Sequence, residues 1–240
     1  MASIYLIRHG QASFGQDDYD QLSSLGHEQA KIVGQSLARR IEGFDCVVTG
    51  TMQRHQQTAD GCLQAFPSAQ PEVWQEGGWN EYDHDDILRG IGDDFVSAQA
   101  ISKFIARQQN PKQAFEDALN KAMNRWMSGQ YDSDYVESWP YYQQRIHDAL
   151  NNIVERARSN DSGGGARLKN VAVFTSGGVI SVIAQALLGV SSDKMMHMNW
   201  TLMNCAITKL VVSKDRLFVA TLNDHVHFEL PELKQFLTYK

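Results

Sequence analysis

The chain has 240 residues with 42% hydrophobic and 21% charged side chains, fractions that supply a sizeable core and exclude a disordered chain. Its formal net charge of −6 argues against a nucleic-acid groove as the main function, while leaving room for a local basic pocket that takes a small anion. Three dispersed cysteines (Cys46, Cys62 and Cys205) without CxxC spacing read as buried free thiols, and no apolar run is of membrane-spanning length or built like a signal peptide, so a cytoplasmic protein without a membrane partner is expected.

Ile4–Ile7 is an apolar run short enough to be a buried strand, and it leads into Arg8-His9-Gly10-Gln11 and a polar loop to Ser24. The pattern then predicts a helix from Leu25 to about Arg40, a strand over Phe44–Thr49, a helix over Gln53–Phe66 stopped by Pro67, and a short strand over Glu72–Gln75. From about Tyr82 to Arg158 the strand pattern is missing, and helices are predicted over Phe95–Gln109, Lys112–Met127 and Pro140–Arg158. The aromatic residues of this stretch (Trp126, Tyr131, Tyr135, Trp139, Tyr141 and Tyr142) are expected mainly to pack a helical subdomain, with one or two lining a substrate cavity. Asn160–Gly165 reads as a surface loop. A buried strand follows at Val171–Thr175, then a helix at Val179–Leu188, a hairpin of Ile207–Ser213 with Leu217–Leu222, and a short helix near Pro231–Leu237. Alternation of strand and helix predicts an α/β fold. The expected form is a three-layer αβα sandwich with a mainly parallel sheet, one antiparallel edge strand, and a helical insertion (a cap) at about 82–158 within a single domain, 1–240.

Arg8 and His9 stand where the first strand ends, the end at which open α/β sheets bind ligands. The imidazole offers a nucleophile and the guanidinium attracts an anion. Taken alone, the tripeptide also fits a core histidine at a strand end. Other groupings are poorer in chemistry. Asp83-His84-Asp85-Asp86 and His225-Val226-His227 fall short of a metal-ligand set, so neither a metal site nor a cofactor is expected. Met195, Met196, Met198 and Met203 read as core fillers. The phosphate loop of the nucleotide-hydrolysing folds does not occur, and Ser176 lacks the leading glycine of a serine-hydrolase elbow.

Three motifs in chain order carry a resemblance: Arg8-His9-Gly10-Gln11, Leu25-Gly26-His27-Glu28-Gln29-Ala30, and Thr49-Gly50-Thr51-Met52-Gln53-Arg54 continuing to Thr58-Ala59. Together they resemble the histidine phosphatase superfamily, the phosphoglycerate mutase-like family. The resemblance implies that His9 is the nucleophile that becomes phosphorylated and that Arg8 and Arg54 are the pocket's cations. Trp79-Asn80-Glu81-Tyr82 resembles the family segment bearing the proton donor, which makes Glu81 the general acid, with Glu76 and Asp83 as rivals. Ser176 and Gly177 are expected as further phosphate contacts, with Gln11 or Ser13 contributing in place of the contact that many relatives make from position 15. The chemistry agrees, because phosphoryl transfer needs positioning and charge stabilisation, and guanidinium forks match phosphate geometry. His9 must be neutral at its attacking nitrogen, so its other nitrogen should donate to a fixed acceptor.

The chain departs from the family pattern at three places. Gly50 or Thr51 stands near the usual serine of the third motif, Gly15 stands where many relatives have an asparagine, and Ser176 stands where a second histidine is expected. A serine there donates one hydrogen bond but brings no charge. His197, His225 and His227 are the candidates to supply the missing imidazole. The reading that follows is a metal-independent phosphatase that hydrolyses small phosphomonoesters through phospho-His9. A mutase is expected to carry an adjacent arginine pair in its insert, whereas this insert has Arg89, Lys103, Arg107, Arg125 and Arg145, all separate. The remaining alternative is a phosphate-binding protein of weak activity, on the ground of Ser176. The expected partner is a small phosphorylated substrate, and a homodimer through a sheet edge or helix is compatible with this reading.

Overall fold

The apolar residues ahead of Arg8 form β1 (Ala2–Arg8), in which Ile4, Leu6 and Ile7 are wholly inaccessible. The computed structural model describes residues 1–13, 20–159 and 168–239; Gly15 and the surface loop expected at Asn160–Gly165 lie outside the described residues. The other strands are β2 (Cys46–Thr49), β3 (Glu72–Gln75), β4 (Asn170–Thr175), β5 (Ile207–Val212) and β6 (Leu217–Asp224), and the sheet order is β3-β2-β4-β1-β5-β6. Four strands, β3, β2, β4 and β1, are mutually parallel. The antiparallel part lies at the other edge, where β5 runs against both β1 and the outermost strand β6.

Burial explains this order. Val171–Phe174 of β4 and Cys46–Val48 of β2 are inaccessible on both sides, which requires helices on both faces. On one face Tyr5, Ile7, Val47 and Phe174 pack with Val33 and Leu37 of α1 (Ser24–Ala38) and with Ala59 and Cys62 of α2 (Gln53–Leu63). The alternate residues Ile4, Leu6, Val48 and Val173 point the other way and are equally buried. The edge strands β3 and β6 are largely accessible. Register then sets the site. Arg8 pairs with Thr175 and Thr49 with Phe174, so the residues just beyond three parallel strands, His9, Gly50 and Ser176, leave the sheet at one end.

By its internal contacts the chain divides into two compact units, Met1–Glu81 with Ile146–Lys240, and Tyr82–Arg145. The second contains α3 (His84–Arg89), α4 (Ala98–Ala106) and α5 (Pro111–Met127), and α6 (Trp139–Arg158) runs through its C-terminal boundary. Its centre is aromatic: Trp126 packs against Tyr82, Trp139 and Tyr142, and its indole N–H donates to the Glu137 carbonyl at 2.7 Å. Asn110 caps α5 ahead of Pro111, a pairing that fixes a helix start. Tyr131 and Tyr141 are exposed. Two helices were not expected from the sequence. One is α3, whose first turn is capped by the Asp83 carboxylate, and the other is α8 (Ser192–Thr201), which follows α7 (Gly177–Leu188). The last expected helix is reduced to a 3-10 turn at Lys234–Phe236. The three cysteines are free and buried, and burial pushes the thiols of Cys46 and Cys62 up to about 12. No helix among the described residues is long and apolar enough to cross a membrane.

α1 and α2 touch backbone to backbone at Gly34, where a Cβ would stand 2.2 Å from the Cys62 carbonyl oxygen and 2.8 Å from its Cα. Neither atom can swing away. Gly34→Ala gains about 1 kcal/mol of helix propensity, but overpacking a rigid contact costs about 1–3 kcal/mol. The substitution is expected to lower the urea midpoint of unfolding; a midpoint equal to or above that of the parent chain contradicts this account of the helix contact.

Candidate active site

The backbone that carries His9 is clamped from three sides. The His9 N–H donates to the Thr175 carbonyl at 2.9 Å, Cys205 N–H donates to the Arg8 carbonyl at 3.0 Å, and the Asn204 side-chain amide donates to the His9 carbonyl at 3.1 Å. Cys205 holds a left-handed backbone (φ 55°) to make its contact. Gly10 lies directly on Gly26 at the start of α1, where a Cβ would come within 2.5 Å of the Gly26 carbonyl oxygen. Its N–H donates to Thr58 Oγ1, and the Thr58 hydroxyl donates to the Arg54 carbonyl, so the loop after β1 is tied to α2.

This clamp fixes the imidazole. His9 Nδ1 lies 2.7 Å from the Gly10 carbonyl oxygen, which accepts only, so Nδ1 carries the hydrogen and Nε2 presents its lone pair. The ring is buried, and its pKa lies well below the usual value, first because burial penalises the charged form and then because of the Arg54 and Arg8 guanidiniums and the nearby His55. His9 is therefore a neutral, oriented imidazole with its Nε2 lone pair presented in a cationic setting.

Each guanidinium is held in place. Arg54, in the first turn of α2, donates through Nη1 to Asp20 Oδ1 at 2.7 Å, and the other Asp20 oxygen accepts the Gln53 N–H at 2.8 Å. Arg8 donates to the carbonyls of Leu202 and Tyr239. Gly177 lies against this guanidinium: a Cβ there would be 3.5 Å from Arg8 Cζ and 2.9 Å from Asn199 Oδ1.

The third wall is the head of α7. Gly178 N–H donates to Glu81 Oε2 at 3.0 Å, which sets the carboxyl group at the helix N-terminus. The segment bearing Glu81 is anchored next to the sheet, since the Thr175 hydroxyl donates to the Trp79 carbonyl at 2.6 Å. Asn80 accepts the Thr51 N–H and donates to the Thr51 hydroxyl, which fixes the turn between β2 and α2. Ser176 precedes α7, and its Oγ lies 2.6 Å from Nε2 of His55. The His55 ring is 5.7 Å from that of His9, and its pKa is also depressed, by burial first and then by Arg54.

Of the residues singled out from the sequence, the structure brings His9, Arg8, Arg54, Ser176, Gly177 and Glu81 to the same end of the sheet. Gln11 is turned toward α1, where its side-chain oxygen accepts from Ser23 and its N–H donates to Gln29. Ser13 lies further along the same loop, with its N–H bonded to the Gln21 carbonyl. Of the rivals to Glu81, Glu76 accepts from Asn152 and Asp83 caps α3. The imidazole beside His9 is His55. His197 is exposed on α8, His225 bonds the Asn223 carbonyl, and His227 is buried against Phe228. Sequence reasoning also missed Asp20, Thr58 and Asn204. Thr58 stood inside a motif already read, whereas Asp20 and Asn204 act from distant loops.

Residues 4–225 match the histidine phosphatase superfamily (branch 1). A 2,3-bisphosphoglycerate-dependent phosphoglycerate mutase of Mesorhizobium japonicum is 32% identical over 99 residues, 38% of this chain and 47% of that protein, so the aligned stretch spans about half the length of this curated relative. A phosphoglycerate mutase from Bacillus anthracis strain Sterne has the same fold, with a TM-score of 0.62 at 19% identity over 94% of each chain. So does an α-ribazole phosphatase from Shigella flexneri, with a TM-score of 0.60 at 18% identity over 92% of this chain and 96% of the other. With the family match running from β1 to the end of the sheet, this protein belongs to the histidine phosphatase superfamily.

Proposed function

We propose that the protein is a metal-independent phosphatase of small phosphomonoesters that works through a phosphohistidine on His9. One observation carries the reading: a buried neutral imidazole whose Nδ1–H is committed to Gly10, with two fixed guanidiniums around it. Nε2 attacks phosphorus, the P–N bond forms and the ester P–O bond breaks, and the leaving oxygen takes a proton from Glu81. Glu81 then removes a proton from water as the water attacks phosphorus, the P–N bond breaks, and inorganic phosphate leaves with Nε2 restored. Arg8, Arg54 and the head of α7 stabilise charge on the equatorial oxygens during both steps.

Three of the four arginines of Tyr82–Arg145 support hydrolysis over mutase chemistry, which needs cations for a second acidic group on the substrate. Arg125 donates to Asp134 and Tyr135, Arg145 makes a two-point contact with Glu137, and Arg89 lies 3.7 Å from Asp86. These charges are already matched within their own unit.

Three outcomes test the reading. With chelator present, para-nitrophenyl phosphate and a panel of phosphorylated metabolites are expected to turn over, and an acid-labile phosphoenzyme should map to His9. His9→Ala should lose about 10³-fold or more in kcat; interconversion of phosphoglycerates primed by the bisphosphate would favour the mutase instead, and phosphate binding without turnover a binding role. Glu81→Gln should slow formation of the phosphoenzyme about 10²–10⁴-fold with an alkyl phosphate but far less with para-nitrophenyl phosphate, whose leaving group departs unprotonated; equal losses in that step would remove Glu81 as the acid.

The pH profile follows from the depressed pKa of His9. Protonation destroys the nucleophile, so activity is present above the folded-state pKa and falls as pH drops through it. That value lies well below 6.5, so the acid limb of kcat/KM should lie below the range of an ordinary imidazole. Arg54→Gln, which removes one of the depressing charges, should move the limb upward; an unmoved limb means that another group sets it.

A further inference from the structure

Ser176 occupies the N-cap position of α7, where a serine oxygen ordinarily accepts an N–H of the first turn. Here it makes no such bond. The Gly178 N–H goes to Glu81, and Ser176 Oγ instead meets His55 Nε2 at 2.6 Å, with both side chains wholly buried.

The ring of His55 fits because position 50 has no side chain. A Cβ on Gly50 would stand 2.2 Å from His55 Nδ1 and 2.9 Å from Cε1. On that side Nδ1 is buried without a hydrogen-bond partner. A neutral imidazole carries one hydrogen. On Nδ1 it would be an orphaned buried N–H, whereas on Nε2 it donates to Ser176 Oγ. With Nε2–H as the donor, the hydrogen of the serine hydroxyl is released for another acceptor. The His9 ring is 5.7 Å from that of His55, and His9 and Ser176 follow directly on the paired residues Arg8 and Thr175. A phosphoryl group on His9 would offer that hydroxyl an oxygen as acceptor.

We propose that His55 and Ser176 act as one relayed donor, in which His55 Nε2–H holds Ser176 Oγ and the Ser176 hydroxyl donates to an oxygen of the phosphoryl group in transit at His9. This rests on the phosphohistidine reading above. Ser176 touches the substrate, and His55 is a positioning residue that acts through it. A hydroxyl alone can turn its hydrogen among several directions. Pinned by an imidazole donor, it is preorganised toward the developing charge and polarised along the hydrogen-bond chain. No bond to hydrogen breaks, so the pair adds a donor without adding charge. The imidazole absent from the end of β4 is thus present on α2, with Gly50 making the room and Ser176 making the contact.

The test is the pre-steady-state burst of para-nitrophenol, with mass mapping of the quenched phosphoenzyme, for the parent chain, His55→Phe, Ser176→Ala, the double variant and His55→Gln. The parent should carry its phosphoryl group on His9. His55→Phe and Ser176→Ala should each slow the burst about 10²-fold, with smaller changes in KM, and the double variant should be no slower than either. His55→Gln, whose amide can still donate to Ser176, should recover most of the rate. A burst in His55→Phe or Ser176→Ala within about threefold of the parent, with His9 still labelled, overturns the relay and leaves the phosphohistidine reading standing. Losses that multiply in the double variant also overturn it. If His55→Phe does not fold, Ser176→Ala decides by the same threshold, since it deletes one oxygen. A phosphoryl group found on Ser176, or none on His9, overturns the phosphohistidine reading itself.

Discussion

The hydrogen bond from His9 Nδ1 to the Gly10 carbonyl is the contact on which the rest of the site depends. A buried imidazole between two guanidiniums stays neutral, and which nitrogen keeps the single hydrogen decides whether the ring can attack. The carbonyl of the next residue settles that question locally. It can do so only if Gly10 is held still, and Gly10 is held by its N–H on Thr58 and by its backbone seat on Gly26. The glycines of the first two motifs are therefore one contact seen from both sides, and the threonine of the third motif completes it. The three motifs fix the same few atoms.

The fold and the site were not equally legible in the sequence. Strands buried on both faces announce themselves as short apolar runs, and β1, β2 and β4 begin or end within a residue or two of the expected positions. The helices lost from the reading have physical reasons for their faint signal. The start of α3 is a cluster of acidic residues that looks like a solvated loop until Asp83 is seen to cap it. The methionines of α8 are spaced so that only Met195 and Met196 are buried on it, which gives little periodicity. Within the site, His9 and Arg54 could be read because their neighbours in sequence are also their neighbours in space. His55 could not, because its partner Ser176 lies on another strand–helix junction and a histidine in a helix has no fixed signature of its own. The visible trace was a pair of departures, Gly50 and Ser176, on separate elements.

Electrostatics ties these parts together. The chain is acidic overall, yet the end of the sheet holds two guanidiniums and two neutral imidazoles. Asp20 balances Arg54 from the α2 side and backbone carbonyls hold Arg8, so neither cation needs the phosphate to be oriented. A donor that brings no further charge fits this setting. A charged second imidazole would sit 5.7 Å from the His9 ring, beside Arg54, and burial already opposes its protonation. A hydroxyl relayed by a neutral ring supplies direction at lower electrostatic cost.

The same geometry makes Gly50, His55 and Ser176 a single unit. A side chain at position 50 meets the ring of His55 within 2.2 Å, and anything longer than serine at position 176 meets its other edge, which is already at 2.6 Å. Removing the ring instead leaves a buried gap and a serine hydroxyl without a fixed direction. Changing any one of the three alone thus costs packing, a hydrogen bond, or both. Coupling of this kind has a physical source in shared contact, and it explains why two departures that look unrelated along the chain belong to one feature of the site.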